Sequence, residues 1–132
     1  MCYVRQMRAF DLVVVMIGGG LGSALRYGVS LILTSPNAGT FPVSTLLVNI
    51  VGSGVLGLVL GLSSKLSSSS ILLVGTGLCG GFTTFSTFSG ETLTLLSEGR
   101  YGTALAYIGV SVVGGLTCAA LTYGLARRFA AA

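Results

Sequence analysis

Residues 75–89 read Gly-Thr-Gly-Leu-Cys-Gly-Gly-Phe-Thr-Thr-Phe-Ser-Thr-Phe-Ser, and they lie inside an apolar segment long enough to cross a membrane. Four glycines come first, and then hydroxyl side chains and phenylalanines alternate. Each glycine weakens a helix by up to ~1 kcal/mol relative to alanine. A spanning helix that breaks frees N–H and C=O groups that lipid cannot satisfy. Such backbone persists only where protein covers it or where it lines a cavity, filter or ion site. The stretch therefore reads as an ion-handling element within a spanning helix.

The rest of the chain fits that setting. Of 132 residues, 52% are hydrophobic and only 8% charged, and the mean hydropathy is +0.94. Soluble domains carry about 25% charged residues, so the composition is that of an integral membrane protein. A helical span needs roughly 20 apolar residues. Four are expected, at approximately Leu12–Leu33, Phe41–Leu62, Ile71–Leu96 and Tyr101–Leu125. Polar or turn-forming connections separate them at Thr34–Thr40, Ser63–Ser70 and Ser97–Arg100. The continuous apolar runs lack the alternating pattern of a β-barrel. The first run is too long for a cleaved signal peptide. The whole chain, residues 1–132, is expected to form a single all-α transmembrane domain.

Four helices enclose little space, so a pore or substrate path is expected between subunits. The chain has 21 glycines, among them the GxxxG pairs Gly18/Gly22, Gly57/Gly61 and Gly77/Gly81. Such pairs let helix backbones approach closely. Each pair alone fits packing within one subunit, while their number points towards oligomerisation. The net charge of +4 comes from scattered basic residues and is no nucleic-acid signal. Cys2, Cys79 and Cys118 show neither metal spacing nor a disulfide framework. Histidine is absent, which removes His-based triads and His metal sites.

Few polar groups lie within the spans, so each is a candidate. Asn49 is the only asparagine in a predicted span. Its amide can act as interhelical glue, worth about 0.6 kcal/mol on average, or as a donor facing a passing anion. Arg26 falls well inside the first span, where an arginine costs roughly 2.5–3.5 kcal/mol on insertion scales. It is expected in a wet vestibule or beside a polar partner, where it would concentrate anions; snorkelling to the interface is the competing account. Glu91 is the acid nearest membrane depth, able to pair with Arg26 or nearby hydroxyls, or to serve as a proton site. Phe85 and Phe88 share one helix face among Thr83, Thr84, Ser86 and Thr87. Their ring edges carry the positive end of the quadrupole and can meet an anion weakly.

Three motifs now carry a resemblance. Gly-Gly-x-x-Gly-x-x-x-Arg-Tyr (ending at Tyr27, with one extra glycine), Thr-Leu-Leu-Val-Asn-x-x-Gly (Thr45–Gly52) and Gly-x-x-Gly-Gly-x-Thr-Thr-Phe-Ser-Thr-Phe (Gly77–Phe88) resemble the CrcB/Fluc fluoride channels. The resemblance covers all four spans in order. It implies an antiparallel, dual-topology dimer of four-helix subunits with a broken third helix and two fluoride pathways per dimer. It also implies a central structural sodium ion held by backbone carbonyls of both subunits, here those of Gly80 and Thr83. Asn49, Phe85, Phe88, Tyr107 and Ser111 would line the fluoride pathway. Arg26 would occupy the vestibule, with Thr84, Thr87 and Glu91 in supporting positions. The implied role is passive fluoride export across a bacterial inner membrane, without catalysis. Hydrogen fluoride enters acidified cells as a neutral acid and dissociates, and the channel lets the trapped, toxic anion leave.

Two departures stand out. Where the family often continues a hydroxyl track on the fourth helix one turn after Ser111, this chain has Gly114 and Gly115, with Thr117, Cys118 and Thr122 beyond. Charge also bears on topology. Arg5, Arg8, Lys65, Arg127 and Arg128 share one side, against Arg100 and at most Arg26 on the other. That favours termini inside, so the partner is expected to be a second copy despite the bias, or an oppositely biased paralogue. Two rival classes remain. A proton-coupled multidrug exporter needs a carboxylate in the first span, which offers Arg26 instead, with Asp11 at its edge. A non-transporting subunit would have lost the polar set, yet Asn49, Phe85, Phe88 and Ser111 are all present.

Overall fold

The computed structural model describes residues 9–33 and 41–131. Cys2, Arg5, Arg8 and the connection Thr34–Thr40 lie outside the described residues. Helix α1 is Ala9–Leu33 and α2 is Val43–Gly61. The third span has two parts. Its first part, α3, covers residues 68–82 and comprises Ser68–Ser70, the wider-wound π-helical stretch Ile71–Cys79, and Gly80–Phe82. Its second part, α4, is Phe85–Ser97, and α5 is Tyr101–Ala131. Four helical stretches, Ala9–Leu33, Val43–Gly61, Ser68–Ser97 and Tyr101–Ala131, are long and apolar enough to cross a membrane.

The expected spans and the observed helices differ mainly at the ends. Helix α5 runs past Leu125 through Arg127 and Arg128 to Ala131, because a helix need not stop where apolar sequence does. Lys65 then reaches up from the turn after α2 and donates to the Phe129 carbonyl at 3.1 Å. A lysine at a helix C-terminus satisfies an orphan carbonyl and meets the negative end of the dipole. At the opposite end, α4 closes through Gly99 at φ +75°. Gly99 N–H donates to Leu96 O and Arg100 N–H to Leu95 O, at 3.1 and 2.9 Å. This is a Schellman turn, whose left-handed position favours glycine. It returns the chain as α5 antiparallel to α4.

Small residues set the packing. Helix α2 lies along α5, and α1 lies along α3. A Cβ on Gly22 would stand 2.8 Å from the Phe82 backbone nitrogen, and one on Gly77 would stand 2.9 Å from Gly18 Cα. The pair Gly18/Gly22 thus faces Gly77/Gly81 across the α1–α3 seam. Gly57 and Gly61 lie against Ala119, Thr122 and Ala126 of α5. All three GxxxG pairs are used inside the chain, so the expectation that their number signals oligomerisation has a simpler cause. The motif permits close approach and does not say to which helix.

The buried residues include Val48, Val59, Leu95, Ala104 and Tyr107. Met16, Leu31, Ile32, Leu116 and Leu121 are each more than half exposed. Apolar surface this extensive is a liability in water and is what a lipid-facing helix presents.

Candidate functional site

The helical conformation stops at Phe82 and resumes at Phe85. Thr83 (φ −76°, ψ 158°) and Thr84 (φ −149°, ψ 110°) are extended between them. Four glycines before this dipeptide and threonine at both of its positions suit the change of direction, since β-branched residues favour extended backbone. The freed groups find partners outside the ladder. Thr84 N–H donates to Asn49 Oδ1 at 2.8 Å, and Asn49 Nδ2 donates to Thr84 O at 3.3 Å. The backbone donor fixes the orientation of the amide, because only its oxygen can accept. Asn49 is therefore structural glue, and one of its two amide hydrogens is still unused by that exchange.

Helix α4 is capped by Thr84, whose Oγ1 accepts from Thr87 N–H at 3.2 Å and donates to Thr87 Oγ1 at 2.9 Å. These two exchanges have a joint consequence. In an unbroken α-helix, Thr84 N–H would bond the Gly80 carbonyl and Thr87 N–H would bond that of Thr83. Both donors point elsewhere, which leaves the Gly80 and Thr83 carbonyl oxygens without their helical partners. Nothing lies within 4 Å of where a Gly80 Cβ would be, so the backbone there is open. The neighbouring Gly81 carbonyl accepts from Arg26 Nε at 3.1 Å and from Ser23 Oγ at 3.5 Å.

Arg26 and Glu91 do not pair. Arg26 holds the end of α3, whereas Glu91 accepts from Thr45 Oγ1 at 2.9 Å and from Tyr107 OH at 2.7 Å. Of the two partnerships open to Glu91 from sequence, the hydroxyl one is realised. Both residues nonetheless line one groove of about 190 Å³, together with Thr45, Thr84 and Thr87. A second groove, of about 300 Å³, contains Asn49, Ser53, Gly80, Thr83 and Phe85. Thr84 lines the first groove and Asn49 the second, and their exchange links the two walls.

An aromatic row runs beside them. Phe85 and Phe88 have ring centroids 5.8 Å apart, and Phe88 and Tyr107 5.0 Å apart. Phe41 meets Tyr107 edge-on at 5.5 Å. Tyr107 is fully buried, whereas Phe85 is 80% exposed on the single chain. Ser111 lies farther along α5, its Oγ buried and without a partner among the described residues. Thr122 is bound inward, its hydroxyl donating to the Gly54 carbonyl at 2.7 Å.

Sequence reasoning missed Thr45 and Ser53 as members of this set. They precede and follow Asn49 by one helical turn each, at i−4 and i+4, and so share its face. That polar stripe on an apolar helix was the available signal.

The family described as CrcB-like protein, Camphor Resistance (CrcB), matches residues 13–124. The "Fluoride-specific ion channel FluC 1" of Yersinia pseudotuberculosis is 45% identical over 122 residues, covering 90% of this chain and 95% of the relative. The "Fluoride-specific ion channel FluC" of Pyrococcus furiosus is 46% identical over 121 residues, covering 89% and 97%. A protein of the same description in Chlorobium phaeobacteroides is 49% identical over 115 residues, covering 85% and 87%.

Proposed function

The chain belongs to the CrcB family, and from that premise we propose that it is a fluoride-selective channel exporting fluoride passively across the bacterial inner membrane. One observation carries the reading most directly. A groove holding Asn49, Ser53, Gly80 and Thr83 opens on the chain's flank beside the 80% exposed Phe85. Lipid cannot satisfy polar groups at that depth, so a second protein surface belongs there. An antiparallel, dual-topology homodimer supplies one, with two fluoride pathways and a broken third helix in each subunit. A paralogous subunit is the alternative partner.

Each pathway runs from the Arg26 vestibule past Asn49, Phe85 and Phe88 to Tyr107 and Ser111. Fluoride is small and strongly hydrated, so donors along the path must replace its water. The free amide hydrogen of Asn49 and the hydroxyls of Thr87 and Ser111 offer that replacement, while Thr84 spends its own O–H on Thr87. The phenyl edges add an attraction weak enough for the ion to leave. Arg26 raises the local anion concentration. The N-terminus of α4 contributes its positive partial charge to the same region.

The donor set also fits a structural sodium ion. Hard cations take oxygen ligands, and the carbonyls of Gly80 and Thr83 are the two whose helical donors bond to side chains instead. Repeated in an antiparallel partner, they would surround a cation on the dimer axis. Bound there, sodium supplies positive charge that offsets these carbonyl dipoles. Glu91 has both oxygens engaged, by Thr45 and Tyr107, which argues against a carboxylate alternating between proton and drug. The cellular reading is tested by expression in a bacterium made fluoride-sensitive by loss of its own exporter. Restored growth in millimolar fluoride is expected, and a membrane-inserted protein that gives no protection contradicts it.

A further inference from the structure

On α5 the turn beyond Ser111 carries Gly114 and Gly115, so the helix itself offers no hydroxyl there. Helix α2 does. A Cβ built on Gly115 would lie 3.3 Å from Ser53 Oγ and 3.8 Å from Ser53 Cβ. Ser53 therefore projects into the space that glycine leaves open. It also lines two grooves at once: that of Asn49 and Phe85, and a third of about 380 Å³ that contains Ser111, Leu56 and Leu116. Ser53 stands one turn after Asn49, and Gly115 one turn after Ser111, so the two helix faces meet at this point.

We propose that Ser53 and Ser111 form a further fluoride subsite, Ser53 on α2 supplying the hydroxyl donor that α5 lacks at Gly115. The inference rests on the channel reading above. The buried Ser111 Oγ, with no protein partner among the described residues, needs one from a ligand or water. Ser53 Oγ likewise makes no hydrogen bond to the described residues, although a helical serine can bond the carbonyl four residues back. The walls of the third groove are otherwise apolar, and no carboxylate lines it. Two unspent O–H donors in such surroundings, with no carboxylate beside them, suit a small anion.

The test moves the hydroxyl between helices. Fluoride efflux is measured from liposomes containing wild type, Ser53→Ala, Ser53→Thr or the double variant Ser53→Ala with Gly115→Ser. Ser53→Ala is expected to slow efflux about tenfold, the scale of one lost hydrogen bond to a charged group. Ser53→Thr keeps the hydroxyl and the rate. The double variant restores the rate, because its serine reaches the same space from α5 and meets only the 3.8 Å Cβ contact. Equal rates for Ser53→Ala and Ser53→Thr overturn the subsite, as does a folded double variant no faster than Ser53→Ala. If the double variant does not fold, the Ala–Thr comparison decides. Wild-type liposomes that retain fluoride overturn the channel reading itself, and the subsite with it.

Discussion

Asn49 and Thr84 exchange two hydrogen bonds, at 2.8 and 3.3 Å, across the joint between α2 and the extended dipeptide of the third span. One side chain thereby satisfies both backbone groups of Thr84. The exchange keeps Thr84 N–H away from the Gly80 carbonyl, and it holds the amide in the wall of the groove that also contains Gly80, Thr83 and Phe85. A residue that serves as glue thus also lines a groove of the proposed path.

Asn49→Asp separates these roles. The aspartate still accepts from Thr84 N–H but lacks the amide donor and places a negative charge in the path. Fluoride flux should fall by at least about tenfold while the proposed dimer persists, since a lost hydrogen bond to a charged group is worth about 1.5–3 kcal/mol. Flux is read with a fluoride electrode and assembly by size-exclusion chromatography.

Phe88→Ile removes a ring that touches both Phe85 and Tyr107. The substitution keeps apolar bulk but loses the aromatic edge. Flux should drop strongly with recovery of folded protein unchanged, and normal flux would remove Phe88 from the proposed pathway.

Glu91→Gln abolishes the acid and keeps one acceptor oxygen for Thr45 or Tyr107, while its amide nitrogen can donate to the other hydroxyl oxygen. Fluoride flux should survive within a few-fold and show no dependence on an imposed pH gradient. A strict gradient requirement in the wild type, lost in this variant, would instead support proton coupling.

Sodium removal tests the freed carbonyls. Protein exchanged from sodium into a large organic cation should melt several degrees lower, because an ion that binds only the folded form stabilises it by mass action. Readdition of sodium should restore the melting temperature, and indifference to sodium would argue against the site.

Glycine substitutions test the packing. Gly22→Ala drives a Cβ to 2.8 Å from the Phe82 nitrogen, whereas Gly20→Ala meets nothing within 4 Å. The first should cost about 1–3 kcal/mol by overpacking and lower the thermal midpoint in detergent, and the second should leave it unchanged.

Much of this was legible in the chain itself. The apolar runs place the four spanning helices, and the glycines and threonines of residues 75–89 mark where helical conformation lapses. What escaped was partnership. GxxxG spacing does not say that Gly18 faces Gly77, which depends on how the helices pack. Glu91 had two plausible partners, and the choice of Thr45 and Tyr107 follows from where α2 and α5 converge on α4. Thr122 and Ser111 look alike in sequence, yet one donates to Gly54 and the other has no partner among the described residues. Ser53 was hidden because a serine in an apolar helix ordinarily bonds its own backbone.

The most direct measurement is fluoride efflux from liposomes that contain only this purified chain, compared with chloride efflux from matched vesicles. A fluoride channel predicts rapid fluoride loss when valinomycin supplies a potassium counter-current, little loss without it, and retention of chloride. Folded protein in vesicles that hold both anions, or release both equally, would contradict a fluoride-selective channel formed by this chain alone.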